Sequence, residues 1–222
     1  MINRIKQKIN SIINPDKEEK KEKADEKKII LIDPTKIDGG LLTSDESEMR
    51  VVGLFSDIQE EKIAEVVHAL LFLNESNKDV PDDKKKPIEL YLSTYGGNAD
   101  DMFALYDVIK KIQEETEIHT IGLGKVMSAG VLLLAAGVKG KRKIGKNCRV
   151  MLHSVIAGNH GSIHNLMNEM EAIEQLQKMY IDSLIEETKM TRSQLKKMLD
   201  RQVNVYLSAE EAISLGIADI II

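Results

Sequence analysis

Tryptophan is absent from the 222 residues, aromatic residues make up 4%, and there is a single cysteine, Cys148. One cysteine cannot close an intramolecular disulfide, which excludes a cystine-stapled scaffold and fits a reducing compartment. Four prolines and 14 glycines are too few for a collagen-like fibre. Neither sign of charge dominates: 31 Lys+Arg against 36 Asp+Glu leave a net −5, so the chain lacks the basic footprint of a nucleic-acid binder. No apolar run approaches the roughly 20 residues needed to cross a bilayer; the longest, Val131–Ala136 with its neighbours, is far shorter. Charges interrupt Met1–Ile13 every few residues, so there is no signal-peptide core. What is present, 42% hydrophobic residues, suffices for one substantial core. These features predict a soluble, cytoplasmic protein with no membrane span.

The chain divides unevenly. Asp16–Lys28 is charged at every position but Ala24, with six positive and six negative side chains. Such a segment cannot bury enough apolar surface to offset its ordering entropy. Residues 1–28 therefore read as a tail or leader, with a short apolar helical face at Ile2, Ile5, Ile9, Ile12 and Ile13, and 29–222 as one domain. From about Arg50, strands alternate with helices. Val51–Phe55, Ile88–Leu92, Ile118–Gly122 and Arg149–Leu152 have strand character. Ser56-x-x-Gln59 reads as a capping box ahead of a helix with Ile63, Val66, Val67, Leu70 and Leu71 inward. Gly96-Gly97 punctuates the turn into a helix with Met102, Leu105, Tyr106 and Ile109 inward, and Val131–Ala136 is too uniformly apolar for a surface helix. A long helix spans Ile163–Glu186, another opens at Thr191-x-x-Gln194, Val203–Leu207 is extended, and Ser208-x-x-Glu211 caps a last helix ending at Gly216. This order predicts an α/β fold of βαβ units around a mostly parallel, covered sheet.

Three places could carry chemistry. Ser128, in Gly124-Lys-Val-Met-Ser-Ala-Gly130, lies between a strand and the start of a buried helix. Gly96-Gly97 lets backbone N–H groups approach a ligand without a side chain in the way. His153 follows a strand at its carboxyl end, where open α/β sheets place their sites. A nucleophile, a base and two sources of backbone donors are the components of acyl transfer. An isolated Ser at a helix start is more often only an N-cap.

In three blocks the sequence resembles the ClpP family, the proteolytic subunits of caseinolytic protease. LYLSTYGGNADDMFALYDVI (Leu90–Ile109) is similar to the family's strand–Gly-Gly–helix segment, Gly124–His153 to its nucleophile-to-histidine block, and LSAEEAISLGIADII (Leu207–Ile221) to its C-terminal signature. The resemblance covers about Leu54–Ile222. It implies a ClpP/crotonase-like fold with a protruding handle helix (about residues 155–188) and a serine endopeptidase that cuts unfolded polypeptides inside a chamber. Ser128 would be the nucleophile, His153 its base and Asn204 the third triad member. Oxyanion donors would be the N–H groups of Gly97 and Ala129, with substrate lying along Gly96-Gly97. It further implies a homo-oligomeric ring, a heptamer or double heptamer, fed by an AAA+ Clp-type unfoldase, and no cofactor or metal.

The departures carry information. Asn204 stands where the family usually has Asp; an Asn carbonyl can orient an imidazole but offers the imidazolium no full charge. Val203 replaces an Arg that the family often has beside that Asp, Tyr95 replaces the Pro before Gly-Gly, and Ser154-Val155 replaces Gln-Pro after the His. Asn204 and Val203 motivate an alternative, a weakly active or inactive structural subunit co-assembling with an active relative. A more distant alternative is an acyl-coenzyme-A enzyme of the related crotonase superfold. Among other residues, His160 and His164 lack a third metal ligand at suitable spacing, and the methionines at 167, 170, 179, 190 and 198 suit core or interface packing.

Overall fold

The computed structural model describes residues 49–158, 160–199 and 203–222. The charged N-terminal segment and its apolar face lie outside them. Among the described residues seven strands form one sheet: β1 (Val51–Leu54), β2 (Ile88–Thr94), β3 (Ile118–Met127), β4 (Lys143–Ile144), β5 (Arg149–Leu152), β6 (Val205–Leu207) and β7 (Ile220–Ile221). The order is β1-β2-β3-β4-β7, with β5 on the far half of β3 and β6 on β5. Every pairing is parallel except β5–β6, which bears out the mixed α/β architecture.

The helices are α1 (Glu60–Glu75), α2 (Ala99–Ile112), α3 (Ala129–Ala135), α4 (Ile163–Glu187), α5 (Arg192–Leu199) and α6 (Ala209–Ser214). In β2 burial alternates along the strand: Ile88, Leu90, Leu92 and Thr94 enter the core, as a pleated strand with one packed face requires. The inward stripe of α2 is Met102, Leu105, Tyr106, Ile109 and Ile112. Its first turn is capped by Asn98, whose Oδ1 accepts from the N–H groups of Asp100 (2.7 Å) and Asp101 (3.1 Å). All seven residues of α3 are buried, which is why its sequence is apolar on every side.

β3 is longer than its periodicity suggests, running past Gly122 to Met127. Leu92 pairs with Gly122 but Thr94 with Val126, so two extra residues of β3 are accommodated near Gly124, which takes φ +64. Before this irregularity β3 pairs with β4, after it with β5. The break thus turns the end of β3, and Ser128 beyond it, toward a separate strand pair.

Two local expectations are corrected. No capping box forms at Ser56: α1 starts at Glu60 behind Gln59, which makes no side-chain cap bond. Ile58 is instead held in a parallel bridge to Gly97. In α1, Leu71 is half exposed and Leu73 takes the core position. The boxes at Thr191–Gln194 and Ser208–Glu211 do form.

The C-terminal segment is clamped by Arg142, almost fully buried. Its guanidinium bonds both oxygens of Asp219, Nε to Oδ2 at 2.8 Å and Nη2 to Oδ1 at 2.7 Å, and Nη1 donates to the carbonyls of Ala135 and Glu187. The Arg142 bonds hold the Asp219 carboxyl below its ordinary value. A depressed folded-state pKa adds stability above the unfolded value near 4, and this is lost as pH falls through the folded value. Asp219→Ala leaves a buried guanidinium short of its partner and is expected to cost about 3–5 kcal/mol, read from denaturant midpoints at pH 7.

Candidate active site

Ser128 directly follows β3 and adopts φ 54, ψ −124. Among the described residues it is the one non-glycine with positive φ, a conformation costing of order 1–3 kcal/mol unless the surroundings fix it. They do. Its N–H donates to the Met151 carbonyl at 2.7 Å, pinning it to β5. Its carbonyl accepts from the Val131 N–H at 3.0 Å and from the Tyr180 hydroxyl at 2.9 Å. Ala129 begins α3, so its N–H has no helical carbonyl one turn back.

The Gly-Gly turn abuts this serine. Gly96 takes φ +101, and a Cβ there would lie 2.6 Å from Ser128 Cβ and 3.1 Å from its Oγ. The Gly96 N–H is held by Thr94 Oγ1 at 3.0 Å. The Gly96 carbonyl accepts from Ile58 N–H at 2.8 Å, and the Ile58 carbonyl accepts from Asn98 N–H at 2.9 Å. In such a parallel bridge the N–H of the intervening residue, Gly97, points to the opposite side.

His153 follows the last residue of β5. Its Nδ1 lies 2.5 Å from the Ser154 carbonyl. A carbonyl only accepts, so in this contact Nδ1 is the donor. The loop after it is fastened by Gln177, whose Oε1 accepts from the Val155 N–H at 2.6 Å.

Gly97, Ser128, Ala129 and His153 line one cavity of about 490 Å³, whose apolar wall includes Met102, Phe103, Ile173 and Leu176. Among the described residues no hydrogen bond joins Ser128 Oγ to the imidazole. Asn204 does not line the cavity; it is exposed just before β6. The antiparallel register ends at Leu152–Val205, and the next positions along it are His153 and Asn204. Two contributors escaped the sequence reading. The Ser154 carbonyl leaves no side-chain signal, and Tyr180, at an apolar-spaced position of the long helix, gives no sign in the sequence of what its hydroxyl holds.

Cys148 is no competing nucleophile, since burial pushes its thiol up to about 11. Asp182, an acid on α4, is engaged by Arg192 at 2.5 Å.

A family model described as Clp protease matches residues 42–222, and the chain belongs to that family. The chain is 32% identical over 170 residues to "ATP-dependent Clp protease proteolytic subunit 1" of Leifsonia xyli subsp. xyli, covering 77% of this chain and 81% of that one. It is 30% identical over 173 residues to the protein of the same name from Corynebacterium glutamicum, with 78% of each chain covered. A third relative of that name, from Prochlorococcus marinus, is 29% identical over 173 residues, 78% of this chain and 84% of its own. Family membership makes the chain a peptidase subunit. Among the described residues no helix is long and apolar enough to cross a membrane.

Proposed function

We propose that the chain is a serine endopeptidase subunit that cleaves unfolded polypeptide through an acyl-enzyme. The observation that carries this reading is the convergence of Ser128, His153 and the Gly97 and Ala129 backbone on one cavity. Ser128 Oγ attacks the scissile carbonyl carbon while its proton passes to His153 Nε2. The carbonyl oxygen becomes an oxyanion held by the N–H groups of Gly97 and Ala129. The tetrahedral intermediate collapses, the C–N bond breaks, and Nε2–H protonates the departing amine. Water, deprotonated by the same imidazole, then releases the acyl group and restores Ser128. Substrate lies extended along Gly96-Gly97, read mainly by its backbone, with an apolar side chain against Met102 and Phe103.

Asn204 is the residue we place third in the triad, from the position just before β6 that the strand register sets opposite His153; its side-chain oxygen would take over the Nδ1 contact that the Ser154 carbonyl makes here. It can orient the ring but not neutralise the imidazolium. Asn204→Asp is therefore expected to raise kcat at least about tenfold, a fraction of the roughly ten-thousandfold lost by the reverse change in a serine protease. An unchanged or lower rate would make Asn204 the better partner in this site. The purely structural subunit is not favoured, because Ser128 and His153 are both present beside a formed cavity.

The working unit is a homo-oligomeric ring supplied by an ATP-driven Clp-type unfoldase. The relatives' names include ATP dependence, and no part of the chemistry above consumes nucleotide. The handle helix α4 supports self-association: Ile163, Met167 and Met170 are 74%, 63% and 62% exposed in the single chain. Native mass measurement with a fluorogenic peptide assay tests the reading. Hydrolysis by a multi-subunit species, abolished by a fluorophosphonate, is expected; a monomer at micromolar concentration, or hydrolysis unaffected by the reagent, would contradict it.

A further inference from the structure

We propose that Tyr180 is a positioning residue for acyl transfer: by holding the Ser128 carbonyl, its hydroxyl aims the Ala129 N–H at the developing oxyanion. The inference rests on the assignment of Ser128 as nucleophile and Ala129 N–H as a donor. The Ser128 carbonyl and the Ala129 N–H belong to one planar trans peptide, so fixing the first directs the second. Ser128 sits at φ 54, ψ −124, a combination outside the allowed regions, so no ordinary backbone preference holds that plane.

The Tyr180 hydroxyl donates to the Ser128 carbonyl at 2.9 Å from an element 52 residues further along the chain. Val131 N–H supplies the carbonyl's other bond at 3.0 Å, so the oxygen is gripped from α3 and from α4. The tyrosine is only 5% exposed, and burial raises its phenol well above the ordinary range, so it remains a donor throughout the working pH range. A bond accepted by the carbonyl also polarises the peptide and strengthens its N–H as a donor, an effect of about 10–30% per bond. One turn back along α4, Gln177 fastens the loop following His153. The same helix therefore holds the backbone beside both reacting side chains. Packing alone would be met by Phe; the hydroxyl is what the carbonyl needs.

The test is Tyr180→Phe in the assembled protein, with kcat, KM, melting temperature and two affinities measured. One ligand is a peptide aldehyde, which forms a hemiacetal oxyanion on the nucleophile; the other is the corresponding cleaved peptide, which does not. Loss of a whole oxyanion donor costs about a hundred- to a thousandfold in kcat. With Val131 still in place, a misaimed N–H is expected to lower kcat and aldehyde affinity together by about tenfold. KM, product affinity and melting temperature should change little. Tyr180→Leu, which also lacks the hydroxyl but leaves a cavity at this buried position, is expected to lower the melting temperature while losing kcat and aldehyde affinity together with product affinity unchanged, and it serves as the second variant. Unchanged kcat and aldehyde affinity, or an equal loss of aldehyde and product affinity, would overturn the role of Tyr180 while a fluorophosphonate still labels Ser128. Absence of that label in the parent protein would instead overturn the nucleophile assignment beneath it.

Discussion

Ser128→Ala is expected to lower peptide turnover by at least about ten-thousandfold, leaving only what binding and oxyanion donors achieve without a nucleophile. The effect is that large because serine and histidine act as a unit: once Oγ is gone, the imidazole has no proton to accept and no acyl-enzyme can form. Stability should move little, since Ser128 is held through its N–H and carbonyl and the hydroxyl makes no bond to the imidazole among the described residues. The positive φ survives in alanine at similar cost. Matched steady-state kinetics and melting curves check both halves. Thioester turnover persisting in Ser128→Ala would instead favour the acyl-coenzyme-A alternative.

Gly97→Ala is the second large effect. A Cβ at this position would stand 2.2 Å from the Ile58 carbonyl oxygen and 2.8 Å from its nitrogen, at φ +149. Both neighbours are backbone atoms fixed by the bridge between Ile58 and the glycine turn, so no side chain can swing aside. The turn itself must move, taking the Gly97 N–H with it. Displacing one oxyanion donor is expected to cost about a hundred- to a thousandfold in kcat, with about 1–3 kcal/mol of stability from backbone strain. Gly158→Ala is the control, because nothing lies within 4 Å of its added methyl. Kinetics of the two variants at equal assembly state check the prediction.

The sequence made legible the features governed by local rules. Thr191–Gln194 and Ser208–Glu211 announced helix starts because capping involves residues three apart. The α4 helix was read to within a residue of its observed end, and β5 with its following histidine in place. Ser56–Gln59 carried a similar pattern and misled, since a tertiary contact, Ile58 against Gly97, claimed that segment instead. Strands β4 and β7 have two residues each, too short for any alternation to show. The extension of β3 beyond Gly122 was hidden by Gly124, which looks like an end but serves as an irregularity within the strand.

At the candidate site, the expected Ser128, His153 and Gly97 share a cavity, with Gly96 packed against Ser128 outside its lining, whereas the backbone partners were invisible. The Ser154 carbonyl on Nδ1 depends on how the loop turns after β5. The Tyr180 hydroxyl reaches across 52 residues, and periodicity could report only that this position faces inward.

Peptide mapping by mass spectrometry after fluorophosphonate treatment of the native assembly tests the central claim most directly. The account predicts a single stoichiometric adduct on Ser128, lost in His153→Ala because the serine is then no longer activated. An adduct on a different residue, or an unmodified Ser128 in an assembly that hydrolyses peptide, would contradict it.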